Sequence, residues 1–285
     1  MPAAADAENA RPRVGHIQFL NCVPLYDGLV RSAAIADLGL RQDTPDALSD
    51  ALVAGELDIG PISSVEYLRH ADDLLLLPDL AVGSDGRVLS VNIVSTVDLV
   101  GLDDCVVALA STSRTSALLA QLLLEDRYAV RPRYVTAAPD LDRMLHDAAA
   151  AVLIGDAALY ATHQAPARGL RVYDLGAEWR EWTGLPMVFA VWAVRREFAA
   201  AHPGAAKEIH DLFVRSLETS LADLDGVAVR AVPRHAFDAA TLAEYFRALD
   251  FSLGERQLAG LREFARRAAA RGALPDVPAL EFAGV

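Results

Sequence analysis

Cys105-Val106-Val107-Ala108-Leu109-Ala110-Ser111-Thr112-Ser113-Arg114-Thr115-Ser116 is an apolar strand pattern that breaks into five hydroxyl residues and one arginine. A long apolar helix, Ala117-Leu118-Leu119-Ala120-Gln121-Leu122-Leu123-Leu124, begins at once. Strand-to-helix junctions of this kind build parallel α/β sheets. The first N–H groups of a helix have no partner within it, so the junction also offers donors to a carboxylate or phosphate. One hydroxyl suffices for a helix cap. Five hydroxyls beside a guanidinium, which can clamp a carboxylate through two parallel hydrogen bonds, make Ser111, Thr112, Ser113, Arg114 and Thr115 a candidate anion site.

The same junction recurs outward from this stretch. A strand over 14–19 runs into Leu20-Asn21-Cys22-Val23-Pro24-Leu25 and a helix over 26–34. Thr44-Pro45 caps a helix over 46–54, and a short strand at 57–60 leads through Pro61-Ile62-Ser63-Ser64 into a helix over 65–71. Arg87–Ser95 is a β-branched strand, with further strands at 133–136, 151–154 and 187–194. Gly155-Asp156 opens another helix, and from Pro203 to about Gly272 the pattern is helical. This alternation predicts a parallel α/β sheet, in which ligands bind at the carboxyl ends of the strands. Asn21, Ser63-Ser64, Ser111–Thr115 and Gly155-Asp156 all fall at such ends. Strands near 90 and 190 are expected to cross between two lobes, one formed by 13–95 plus 195–285 and one by 97–190. That is the two-lobed architecture of the type II periplasmic-binding-protein fold, α/β with two hinge strands and a ligand cleft between the lobes. Residues 1–12 are expected to be a disordered leader.

The chain has 285 residues, 53% hydrophobic and 23% charged, which is the composition of a folded globular protein. A net charge of −13 argues against nucleic acid and anionic membrane surfaces as partners. It does not forbid an anionic ligand, because donors inside a cleft outweigh distant, salt-screened surface charge. Cys22 and Cys105 have no ligand-like spacing, so neither a disulfide framework nor a metal site is expected. The run Leu74-Leu75-Leu76-Leu77 is closed by Pro78 and is too short to cross a membrane. With no apolar core near the N-terminus, a cytoplasmic protein is expected. Oligomeric state is not legible in the sequence.

Six segments in order carry a resemblance: Phe19-Leu20-Asn21-Cys22-Val23-Pro24-Leu25; Leu57-Asp58-Ile59-Gly60-Pro61-Ile62-Ser63-Ser64; Val88-Leu89-Ser90-Val91; Ser111–Ser116; Leu153-Ile154-Gly155-Asp156-Ala157-Ala158-Leu159; and Asp174-Leu175-Gly176 with Trp179, Trp182 and Thr183-Gly184-Leu185-Pro186. Together they resemble the chorismate dehydratase family of the futalosine route to menaquinone, over roughly residues 13 to 265. The resemblance implies a cytoplasmic hydro-lyase without metal or organic cofactor, converting chorismate to 3-[(1-carboxyvinyl)oxy]benzoate and water. It also implies that Asn21 and Ser90 lie closest to catalysis and that Ser111–Thr115 form the ligand loop. Cys22 departs from the hydroxyl or small residue often found there.

A dianionic substrate needs two donor clusters. Ser111–Thr115 can supply one; Ser63, Ser64 and the start of the next helix can supply the other, with Gly155 and Asp156 at a neighbouring strand end. No strong base stands among these motifs. His16 reads equally as a core histidine, Asp156 as a helix cap, Asn21 as a turn residue and Ser90 as a small packing residue. The enolpyruvyl carboxylate of the substrate is therefore expected to take the ring proton, with Asn21 holding the departing hydroxyl and Ser90 fixing the ring. Trp179, Trp182 and Trp192 read as core or cleft wall, and the arginines of Glu255–Arg271 as a solvated helix face. Two alternatives stay open. One is the dihydroxynaphthoate synthase of the same pathway, associated with a catalytic histidine that Ile154-Gly155-Asp156 lacks, His163 being the next one along. The other is a cytoplasmic protein that only binds a small carboxylate.

Overall fold

The computed structural model describes residues 11–34 and 38–285. The expected leader therefore lies almost wholly outside the described residues. Two five-stranded sheets organise the chain. The first has the order β2 (Gly39–Asp43), β1 (Arg13–Ile17), β3 (Ile59–Ser63), β10 (Met187–Arg195), β4 (Leu74–Ser84). The second has the order β7 (Arg133–Ala137), β6 (Val106–Ala110), β8 (Ala150–Ile154), β5 (Val91–Ser95), β9 (Arg171–Asp174). Helices cover both, so the molecule is a two-lobed α/β protein.

Neither sheet is purely parallel. β1 runs parallel to β2 and β3, and β6 to β7 and β8, but β10 is antiparallel to β3 and β4, and β5 to β8 and β9. Strands joined by a helix within one sheet come out parallel, whereas a strand entering from the other sheet arrives from the opposite end. The two crossings lie at 85–90 and 175–186. Val91–Ser95, expected with the first lobe, is paired into the second sheet, and Met187 to Ala190, expected with the second, are paired into the first. Both strands are buried along nearly their whole length, so hydrophobic periodicity could not say which sheet they join.

The expected strand over Arg87–Ser95 also starts late, at Val91. Leu89 adopts φ +64°, in the left-handed region. The Asp174 carboxylate holds this turn by accepting from the N–H groups of Val88 and Leu89, at 3.0 and 2.7 Å, while also capping the helix α7 (Leu175–Thr183). Asp174 thus fixes the approach to Ser90. In α12 (Glu255–Ala270), Leu261, Phe264 and Ala265 are buried as the spacing predicts. Its arginines are not all solvated, however: Arg267 lies 3.6 Å from the Trp182 ring centroid. Among the described residues no helix is long and apolar enough to cross a membrane.

Candidate active site

Four of the parallel strands, β1, β3, β6 and β8, end in helix starts that meet at the junction of the two lobes. A single turn, Leu20–Cys22, follows β1 and precedes α1 (Val23–Arg31); α3 (Ser64–Arg69) follows β3; α4 (Arg114–Leu122) follows β6; α6 (Gly155–Gln164) follows β8. Polar contacts stitch these tips into one seam. The Leu20 N–H donates to the Asp156 carboxylate at 3.0 Å, and the Val65 N–H donates to the Thr115 hydroxyl at 3.1 Å. Arg114 makes a bidentate pair with Asp50, at 2.8 and 2.9 Å, with Glu66 3.4 Å away. Asp50 lies on α2 (Pro45–Val53), capped by Thr44 as its sequence predicts.

The hydroxyl run divides into separate tasks. The helix starts at Arg114 and not at Ala117, because Ser113 is extended (φ −152°) and accepts from the Ser116 N–H at 3.3 Å. Thr115 is committed to Val65, Arg114 to Asp50, and Ser111 is exposed. Thr112 is different: its hydroxyl oxygen is buried and has no hydrogen-bond partner. The first lobe shows the same division. Ser64 donates to the Val188 carbonyl at 2.8 Å, while the buried hydroxyl of Ser63 has no partner.

Asn21, Ser90, Gly155 and Asp156 come together. The Ser90 carbonyl accepts from the Gly155 N–H at 2.7 Å. Gly155 has φ +58°, and a Cβ there would stand 2.9 Å from the Phe19 ring, so position 155 requires glycine on both counts. Phe19 and Leu20 in turn carry Asn21, whose buried amide oxygen lacks a partner. Burial raises the Asp156 carboxyl above its ordinary range, while the Leu20 N–H and the charge of His235 pull it down. Ile154 is the N-cap of α6, and the Asp156 carboxylate in its first turn reaches across to clasp the facing lobe.

Other candidates fall outside this cluster. His16 stacks on Tyr26 with ring centroids 3.7 Å apart, and burial lowers its pKa to about 4, so it is neutral at pH 7. It lines a 350 Å³ cavity with Phe19, Arg230 and Arg234, all from the first lobe. His163, on α6, lies against Phe237. Cys22 is buried and its thiol is pushed up by burial, which removes it as a nucleophile. Among the described residues no group of three or more His, Cys, Asp or Glu side chains could hold a metal ion.

One residue of the cluster escaped sequence reasoning. Tyr245, on α11 (Ala239–Ala248), is fully buried and its hydroxyl has no hydrogen-bond partner. The signal was present: Leu242, Ala243, Tyr245 and Phe246 form the apolar face of that helix, which points a phenol into the core. Asn21, Ser63, Thr112 and Tyr245 therefore each present a buried oxygen without a partner. Other unpaired buried side-chain atoms are the oxygens of Asp46, Asn92, Tyr134 and Ser220 and the nitrogens Trp192 Nε1 and Arg196 Nε. An unpaired buried polar group costs about 1–3 kcal/mol, and native proteins leave few of them. Three of the four stand on the segments that meet at the seam, on both of its sides.

A family described as menaquinone biosynthesis matches residues 12–270. The chain belongs to that family. Within it, the chain is 37% identical over 201 residues to a chorismate dehydratase from Thermus thermophilus, a match covering 66% of this chain and 71% of the relative. Among solved structures it is similar to protein AF1704 from Archaeoglobus fulgidus, with TM-score 0.73, 19% identity, and 93% and 98% of the two chains covered. It is also similar to the periplasmic aliphatic sulphonate binding protein SsuA from Escherichia coli, with TM-score 0.66, 14% identity, and 94% and 89% covered. This member of the family thus has the periplasmic-binding-protein fold.

Proposed function

We propose that the protein is a chorismate dehydratase, a hydro-lyase that converts chorismate to 3-[(1-carboxyvinyl)oxy]benzoate and water for menaquinone biosynthesis, working in the cytoplasm. The observation that carries this reading is the set of buried, unpaired oxygens on facing strand tips, in a family whose Thermus thermophilus relative has that activity by name. Ser63 is the N-cap residue of α3 and Thr112 immediately precedes the N-cap of α4. Two hydroxyls at two helix starts suit the two carboxylates of chorismate, since each helix start also favours negative charge.

The reaction removes a proton from the ring carbon bearing the enolpyruvyl ether and the hydroxyl from its neighbour. The C–H electron pair enters the ring, which becomes aromatic, and the proton and hydroxide leave as water. Aromatisation makes the step downhill, so the protein has to position groups and stabilise the departing oxygen. The enolpyruvyl carboxylate takes the proton. Asn21, with an amide that both donates and accepts, holds the leaving hydroxyl, and Ser90 fixes the ring. Gly155 and Asp156 set the facing wall through their bonds to Ser90 and Leu20. Arg114, being held by Asp50, acts as a latch across the seam, and the carboxylate contacts pass to Ser63 and Thr112.

Ultraviolet absorbance of purified protein with chorismate tests this reading. A dehydratase yields an aromatic product 18 Da lighter by mass spectrometry. Binding without turnover points to a carboxylate-binding protein, and chorismate left untouched and unbound points to the synthase of the same pathway.

A further inference from the structure

The Tyr245 hydroxyl is unexplained by packing. The residue is 1% exposed, and its oxygen makes no hydrogen bond. A phenylalanine would fill the same space on α11 without leaving a polar atom stranded. Tyr245 shares a 150 Å³ cavity with Leu89, the neighbour of Ser90, and with Leu159 of α6, which places the ring beside both the Ser90 turn and the helix that carries Asp156. The Ser90 side chain is the hydroxyl's hydrogen-bonding neighbour, out of bonding geometry in the ligand-free chain, and Asp156 and Cys22 act on it through charge. Burial holds the phenol far above its ordinary pKa, so it remains a protonated donor at every working pH.

Resting on the dehydratase reading, we propose that Tyr245 is a catalytic residue whose hydroxyl donates a hydrogen bond to the ring oxygen that departs from chorismate. Asn21 and Tyr245 then hold that oxygen from two sides, and the phenol keeps its proton throughout, so the balance of the reaction is unchanged. The donor has most value as negative charge gathers on the leaving oxygen. The product has lost this oxygen and retains both carboxylates, so Tyr245 contributes to turnover and not to product affinity.

The test is Tyr245→Phe, measured for turnover of chorismate, for affinity toward 3-[(1-carboxyvinyl)oxy]benzoate and for melting temperature. The expected result is a fall in kcat of about 100-fold, as for loss of one donor to a developing negative oxygen. Product Kd stays within about twofold and the melting temperature is unchanged or higher. Wild-type turnover in the variant overturns the proposal, and so does a parallel loss of product affinity and melting temperature, which marks a structural role. Tyr245→Leu, which removes ring and hydroxyl together, serves as the packing control: it should melt lower than Tyr245→Phe, and a Tyr245→Phe that melts as low as Tyr245→Leu shows that the hydroxyl holds the fold and overturns the proposal. Failure of the wild-type protein to dehydrate chorismate is a separate result, and it removes the dehydratase reading itself.

Discussion

Replacing Thr112 by valine removes one hydroxyl while keeping the side-chain shape, and its two effects should have opposite signs. The Thr112 oxygen is buried without a partner in the ligand-free chain, although the residue as a whole is only half-buried. Full desolvation of a hydroxyl costs about 1–3 kcal/mol, and the partial burial here puts the gain on removal near the lower end, about 1 kcal/mol. In a chain of this size that corresponds to roughly 2 °C in melting temperature. If the same oxygen donates to a substrate carboxylate, its loss removes a charge-assisted hydrogen bond of about 1.5–3 kcal/mol. Each 1.4 kcal/mol is about tenfold in affinity, so KM and product Kd should rise by about 10- to 100-fold. Differential scanning fluorimetry with and without product reads both effects in one plate: Thr112→Val melts higher alone and gains less on adding product. A variant that melts lower alone and gains as much from product as the wild type refutes the reasoning, because Thr112 is then a structural hydroxyl.

Gly155→Ala forces a left-handed backbone on alanine and drives a methyl group into the Phe19 ring, so it should cost about 1–3 kcal/mol in urea unfolding and impair turnover by displacing Asn21. Arg114→Gln breaks a rim pair whose Asp50 partner is largely exposed, so stability should fall by less than about 1 kcal/mol while KM rises as the latch weakens. Asp46, desolvated by burial despite Arg114 nearby, has its pKa raised to about 6, and the folded chain therefore keeps a proton that the unfolded chain releases near 3.8. That carboxylate lowers stability as pH rises from 4 to 6, whereas His16, with a folded pKa of about 4, raises stability as pH climbs through 4 to 6.5. Asp46→Asn should remove part of the opposition to the His16 trend, with buried Asp156 still opposing it, giving a steeper rise in urea midpoint between pH 4 and 6.5 than the wild type shows.

The junctions at Ser63, Ser111 and Gly155 were legible because each is a local event, an apolar run ending in residues that start a helix. What failed depended on distant partners. Pro78 closes the apolar run in the sequence, yet it lies inside β4, where the pairing with β10 skips from Ala81 to Leu76 and Asp79 turns to φ +58°. The bulge and the edge position of β4 together accommodate a proline that a regular central strand would reject. β2 and β9 are short edge strands in which no residue is fully buried, so neither alternates clearly. Arg114 carried the right chemistry for a carboxylate, but its bidentate partner is Asp50 of the chain itself, 64 residues away. No local pattern marks that pairing, just as none told which hydroxyls of the run would be committed to caps and which would be left over.

The structure of the protein with 3-[(1-carboxyvinyl)oxy]benzoate bound is the most direct measurement. The product should lie in the seam between the lobes with its carboxylates within hydrogen-bond distance of Ser63 Oγ and Thr112 Oγ1, and with Asn21 and Ser90 at the ring edge. A product molecule seated elsewhere, for instance in the cavity beside His16 and Arg234, with those oxygens still unpaired, would contradict the assignment of the seam as the active site.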